Sequence, residues 1–106
     1  MLTVLAEIRT RPGIHHRQAV IDSFAVAVPL VLKEEGCHGY QPLVDHAANV
    51  AFQTTAPDSI FMIEKWETAA HLEAHLQTAH MKEHHERVKD SVLDVHIHIL
   101  EDALKA

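Results

Sequence analysis

The sequence predicts an α+β domain, an antiparallel sheet with helices on one face, and three observations predict it. Segments near the two ends alternate with a period of two: Val4, Ala6 and Ile8, then Val95, Ile97 and Ile99 set against Asp94, His96 and His98. Two other segments change to helical spacing, one led by Val20, Phe24 and Val31 and one by Leu72, Leu76, Met81 and Val88. The order along the chain is then strand, helix, strand, strand, helix in two pieces, strand. That is the split βαββαβ arrangement called ferredoxin-like.

Each element has its own local signal. Thr3 to Arg11 is a half-buried strand, with Val4, Ala6 and Ile8 inward and Thr3, Glu7 and Arg9 outward, and Pro12-Gly13 ends it. From about His15 to Glu35 the apolar stripe runs through Val20, Phe24, Ala27/Val28 and Val31. Pro29 lies inside this helix and is expected to kink it, because proline has no N–H to donate. Gly36, after Glu34-Glu35, suits a left-handed cap. Cys37 to about Val44 reads as a second strand, Asp45 to Asn49 as a turn, and Val50 to Gln53 as a short strand extension. Ala56-Pro57-Asp58 is a turn. Ser59 to Trp66 is the strongest strand, and its run Ile60-Phe61-Met62-Ile63 suits burial on both faces. Thr68 caps a short helix to about Leu76, and Thr78 caps another over about Ala79 to Asp90. Val92 to Leu100 is the last strand, and Glu101 to Ala106 is a polar tail expected to fray or to reach a partner. Helices on one face leave the other sheet face uncovered, which points to a partner, most simply a second copy.

Composition narrows the function classes. A length of 106 residues sets one domain, 1–106, with a core over about 2–100. A net charge of −6 gives no basic footprint for nucleic acid or for an anionic membrane. No apolar stretch is long enough to span a bilayer. Met1-Leu2-Thr3-Val4 leads straight into a strand pattern without a basic leader, and a lone cysteine, Cys37, excludes an intrachain disulfide, so a cytoplasmic location is expected.

Eleven histidines are the outlier. They concentrate in the run Glu64-Lys65-Trp66-Glu67, His71, His75, His80, which places proton-transfer groups beside the only tryptophan. At about 100° per residue His75 falls near the Leu72/Leu76 stripe and points inward, whereas His71 sits at the rim. In the next helix His85 falls near the Met81/Val88 stripe, His84 at its flank and His80 to the side. His80 lies in the first turn after Thr78, where the helix dipole favours a neutral imidazole able to accept a proton. His71/His75 and His80/His84 are i,i+4 pairs of the kind that ligate metals, but His71-Leu72-Glu73-Ala74-His75 is not H-E-x-x-H, and no metal is expected. On the strand, Glu64 and Trp66 share a face with Ile60 and Met62. A glutamate on that face needs a partner, with Arg9 or a histidine as candidates, or a water-filled pocket. Tyr40, beside Gly39, is a further pocket candidate. The plain alternative for each residue is structural: exposed histidines, a core tryptophan, and a small buried Cys37.

The residues A-E-I-R-T-R-P-G at Ala6–Gly13, V-P-L-V-L-K-E-E-G-C-H-G-Y at Val28–Tyr40, M-I-E-K-W-E at Met62–Glu67 and H-L-E-A-H-L-Q-T-A-H-M at His71–Met81 resemble the antibiotic-biosynthesis monooxygenase family, and within it the small bacterial quinol monooxygenases. The colinear match runs from about Leu2 to Leu100. The resemblance implies a homodimer whose sheets join into a β-barrel, with a pocket between each sheet and its helices. It implies oxidation of electron-rich aromatic diols, menadiol-like quinols, by O₂ without metal or flavin. It carries His75, His80, Trp66, Glu64 and Tyr40 over as pocket candidates. For a quinol substrate His75 and His80 are then the expected catalytic residues, and Trp66, Tyr40, Glu64 and Met81 the expected substrate-binding ones. Haem-degrading branches use an Asn on the first strand and a Trp on the short helix, where this chain has Ile8 and His75. The H-x-x-T-x-H piece is shared with a branch acting on a phosphorylated sugar. A degradative or isomerase activity on a small phosphorylated metabolite is therefore an alternative, as is a non-catalytic ligand-binding or stress-response dimer.

Overall fold

The computed structural model describes residues 1–104, and the last two residues of the polar tail, Lys105 and Ala106, lie outside the described residues. Seven elements follow one another: β1 (Leu2–Thr10), α1 (Ile14–Val31), β2 (Cys37–Leu43), β3 (Ser59–Trp66), α2 (Ala69–Leu76), α3 (Ala79–Val88) and β4 (Val92–Leu100). The sheet order is β2-β3-β1-β4, with every neighbouring pair antiparallel. This is the expected split βαββαβ order, with the first and third strands central.

Register follows the alternation in the sequence. Val4, Ala6 and Ile8 of β1 lie opposite Glu64, Met62 and Ile60 of β3, and opposite Ile99, Ile97 and Val95 of β4. All of these share the face that carries the helices. Beneath α1 and α3 that face closes a core of Val20, Phe24, Val31, Ile60, Met62, Trp66, Met81 and Val88. On the other face Leu5, Phe61 and Ile63 are half-buried beside Thr3, Glu7 and exposed Arg9 and Lys65, so β3 is fully buried on one face only. Between Cys37 and Gly39 the β2–β3 register shifts, with Cys37 opposite Trp66 and Gly39 opposite Lys65. The extra residue is His38. A bulge adds one residue and so one reversal of side, which lets Cys37 and Tyr40, three positions apart, both face inward.

Beyond the one-sided burial of β3, the structure differs from the sequence reading at three further places. Helix α1 includes Pro29 and stops at Val31 rather than Glu35. Pro29 falls in the last turn, and i→i−3 bonds from Lys33 N–H to Leu30 C=O (3.2 Å) and from Glu34 N–H to Val31 C=O (2.9 Å) then tighten the exit. Val50–Gln53 forms a turn, closed by Gln53 N–H to Val50 C=O at 3.2 Å, and not a strand, because the loop leaves β2 with no neighbour to pair with. The exposed apolar surface is also not chiefly on the bare sheet face. Val95, Ile97 and Ile99 are 44, 60 and 58 % exposed on the helix side of edge strand β4, because the helices pack towards β2 and β3.

Gly36 takes φ +80°, the left-handed exit expected of it. Its C=O accepts from Glu67 N–H at 2.8 Å, and the His71 ring lies where a Cβ would project. The turn after α1 is thereby fixed to the end of β3. Thr68 and Thr78 cap α2 and α3 as expected, their hydroxyls accepting from the N–H groups of His71 and Met81. No helix among the described residues is long and apolar enough to cross a membrane.

Candidate functional site

A cavity of about 420 Å³ opens between the sheet and the helices, within the range of about 300–1,000 Å³ typical of small-molecule sites. Its walls are mostly apolar: Val4, Ala6, Ile8 and Met62 from the central strands, Phe24 from α1, Leu72 from α2, and Val95, Ile97 and Ile99 from β4. Into this lining project Tyr40, Glu64, His75, Met81, His84 and His85. Tyr40, Glu64, His75 and Met81, four of the six residues singled out from sequence, therefore meet at one cavity.

His75 is 2 % exposed and stands between two rings, its centroid 4.7 Å from Trp66 and 5.2 Å from Tyr40. Its Nδ1 lies 2.9 Å from Oε2 of Glu34, in the exit turn after α1. An ionised carboxylate only accepts, so Nδ1 carries the proton and Nε2 the lone pair. No buried side-chain nitrogen or oxygen among the described residues lacks a partner. Nε2 has none, so it reaches open space, and the cavity is the space His75 borders. Burial is the larger influence on this ring and lowers its pKa; the Glu34 hydrogen bond and charge oppose that. His75 is thus a neutral imidazole with its basic nitrogen in an apolar cavity.

His80 lies outside the cavity wall. Its Nε2 donates to the same Glu34 oxygen at 2.7 Å. It is a first-turn residue, as expected, but it is tied to the carboxylate rather than free to meet a ligand. His71 sits at the rim, with Nδ1 2.8 Å from Thr68 Oγ1.

Trp66 is fully buried, and its Nε1–H donates to Glu64 Oε1 at 2.9 Å. That settles the partner of Glu64: it is the neighbouring indole, while Arg9 pairs with Asp94 at 3.1 Å on the outer face. Burial raises the Glu64 pKa, with Trp66 opposing and Glu34 adding to the rise. Tyr40 lies directly across from Glu64 in the β2–β3 ladder, and its hydroxyl points to Met81 Sδ at 4.0 Å. Burial, with the charge of Glu64 adding to it, pushes the phenol well above its usual range, so Tyr40 stays a donor. Trp66 does not line the cavity; it forms the floor on which His75 rests.

A family model described as antibiotic biosynthesis monooxygenase matches residues 1–87. The chain belongs to the antibiotic biosynthesis monooxygenase family. It is 68 % identical over 104 residues to the "Probable quinol monooxygenase YgiN" of Escherichia coli K12, an alignment that covers 98 % of this chain and all of that one. The solved structure of PA3566 from Pseudomonas aeruginosa is 26 % identical with a TM-score of 0.80, covering 97 % of this chain and 94 % of that one. A conserved protein from Methanosarcina mazei Go1, 22 % identical with a TM-score of 0.77 over 93 % and 89 % of the two chains, shares the fold.

In this family member the sequence reading missed two residues of the site. Glu34 joins His75 to His80, a contact across more than forty positions that periodicity cannot show. One signal was present: an acidic residue at a helix C-terminus is locally unfavourable, which calls for a compensating partner elsewhere. The other is His84. Met81, His84 and Val88 are the buried face of α3, and His85 is exposed, the reverse of the expected order. Both histidines flank the apolar stripe, and the position of α1 decides between them by placing Ser23 and Phe24 against His84.

Basic residues are scarce in the cavity. Arg9, Arg11 and Arg17 bond to Asp94, to the Asp90 carbonyl and to the Pro57 carbonyl, away from it, and Lys89 is the only Lys or Arg among the lining residues described. Such a wall is poorly suited to a phosphate. Among the described residues no three His, Cys, Asp or Glu side chains form a cluster able to hold a metal ion.

Proposed function

We propose that this protein is a quinol monooxygenase acting on a small aromatic diol with O₂, with His75 as the base. The observation that carries the reading is the placement of one neutral imidazole, its tautomer set by Glu34, with its basic nitrogen in an apolar cavity. The name of the 68 % identical relative supports the same substrate class.

The chemistry follows from the electronic state of oxygen. Dioxygen is a triplet and takes electrons singly from closed-shell organic molecules. A neutral diol is a poor donor and its anion a good one, so removing a hydroxyl proton is the step the protein must assist. His75 Nε2 takes that proton, and the charge that develops on the ring is stabilised by Glu34 through Nδ1–H. His80, on the other side of Glu34 and partly exposed, lies on a route for the proton to solvent. Tyr40 and Met81 line the ring slot, Trp66 supports His75, and Glu64 holds the indole. The diol gives up two electrons and two protons. With a simple quinone as product, dioxygen leaves as hydrogen peroxide; with an oxygenated ring, one oxygen atom enters it and the other leaves as water.

Two further expectations belong to this proposal. One is a homodimer, supported by the exposed apolar strip on β4, and sedimentation at twice the chain mass tests it. The other is a cytoplasmic location without a resident metal or flavin. The central test is aerobic turnover of menadiol by the His75→Ala variant, with oxygen uptake corrected for autoxidation. The rate falls by about 10²–10⁴-fold if His75 is a general base. An unchanged kcat refutes the assignment, and activity lost to EDTA and restored by a single metal refutes the cofactor-free reading.

A further inference from the structure

We infer that His84 is a second polar anchor of the cavity, an N–H donor that holds one oxygen of a bound ring while another oxygen meets His75. The inference deepens the diol reading and rests on it.

The donor character follows from counting protons. Arg87 can only donate. Its Nε lies 2.9 Å from Ser23 Oγ and its Nη2 lies 3.4 Å from the Ser23 carbonyl. Ser23 Oγ therefore accepts from Arg87. The serine is buried and has one proton to place, and the acceptor within reach is His84 Nδ1 at 2.7 Å. Were Nδ1 the donor instead, Ser23 would accept twice and its own O–H would stand buried without an acceptor, which costs more than the bond gains. The chain Arg87 → Ser23 → His84 thus leaves the imidazole proton on Nε2.

That nitrogen faces the cavity. His84 is 3 % exposed, it lines the cavity, and its Nε2 has no protein partner, yet no buried polar atom among the described residues is unpartnered. Phe24 packs on the ring at 4.4 Å and fixes its plane. Burial, reinforced by His85 and Arg87, holds the His84 pKa at about 4, so the ring is neutral and donates without carrying charge.

The two histidines then offer opposite hydrogen bonds to one ligand. His75 Nε2 accepts from a hydroxyl, and His84 Nε2–H donates to an oxygen. A ring with two oxygens satisfies both, and it continues to satisfy His84 once the second oxygen has become a carbonyl. A monophenol leaves His84 unpaired in an apolar wall. The predicted substrate class is therefore a dioxygenated ring, recognised at both oxygens.

The test separates recognition from turnover by using a ligand that cannot be deprotonated. Calorimetry compares a naphthoquinone methylated at both free quinone carbons, so that the Cys37 thiol cannot add, with the matching dimethylnaphthalene. The wild-type protein should bind the quinone more tightly. The His84→Phe variant should lose about tenfold in quinone affinity while its hydrocarbon affinity changes by less than about threefold. Ser23→Ala, which keeps the ring but frees its tautomer, should lose quinone affinity in the same direction by a smaller factor. Retained quinone preference in a His84→Phe protein that still binds the hydrocarbon overturns the inference and leaves the diol reading standing. If His84→Phe binds neither compound, full preference in Ser23→Ala overturns it. A wild-type protein that binds neither compound, or binds both equally, also overturns the inference, whereas the diol reading is decided separately by aerobic turnover of menadiol.

Discussion

Replacing Glu34 by Gln removes a charge with almost no change in volume, and it touches the one carboxylate oxygen that serves both His75 (2.9 Å) and His80 (2.7 Å). Hydrogen bonds to a charged group are about twice as strong as neutral ones, so each contact weakens by roughly 1 kcal/mol. An amide can also present its NH₂ to Nδ1, which drives the imidazole proton to Nε2 and takes the lone pair out of the cavity. Loss of a working base costs about 10²–10⁴-fold, and because the ring itself remains, the lower end, about 10²-fold in kcat, is expected. The pH profile carries a second signature. The base works when neutral, so the rate rises with pH through the His75 pKa. Burial lowers that pKa and Glu34 raises it. Without the carboxylate the opposing influence is gone, so the acid limb moves to lower pH while the plateau falls. Steady-state oxygen uptake between acid and neutral pH reads both quantities. A plateau within about twofold of wild type, or an acid limb that moves upward, refutes the role given to Glu34.

Acid should destabilise the fold through its buried neutral histidines. The folded-state pKa of His84, about 4, lies below the ordinary 6.5. The unfolded chain therefore binds the proton first, and stability present above pH 6.5 is lost as pH falls towards 4, by at most about 1.4 kcal/mol per pH unit for each such group. His75 acts in the same direction and Glu64, with a raised pKa, in the opposite one. Thermal midpoints at pH 7 and pH 5 should differ less in His84→Phe than in wild type, and an equal drop in both contradicts the account. Trp66→Phe strips Glu64 of its indole donor and leaves a buried carboxyl unpaired; urea unfolding should show a loss of about 1–3 kcal/mol, and an unchanged midpoint means Glu64 has another partner. Gly36→Ala places a Cβ at φ +80° against the His71 ring and should cost at least about 1 kcal/mol on the same assay, whereas a neutral effect would show that the exit turn of α1 is not held as described.

Strands and caps were legible because their signals are local. Val4, Ala6 and Ile8 repeat every second residue whatever the rest of the chain does, and Thr68 and Thr78 satisfy N–H groups three residues away. The inward face of His75 was legible for the same reason. What escaped the sequence depends on how elements meet. His84 and His85 are equivalent until α1 takes its place beside α3, and Glu34 acquires its two partners only when the end of α1 reaches α2 and α3. Val50–Gln53 shows the converse: strand-like residues stay a turn where no neighbouring edge receives them.

The strip Val95, Ile97 and Ile99 has a consequence for energetics. These side chains are at once a wall of the cavity and open surface on an edge strand. A second copy laid over them would dry the cavity and lengthen its wall, so occupancy and assembly would draw on the same apolar area. Linkage then makes the effects reciprocal: a ligand that binds the covered state better strengthens association by the factor that association adds to its own affinity. Quinone affinity measured at several protein concentrations would follow the fraction assembled, and chain concentration would itself behave as an effector of the site.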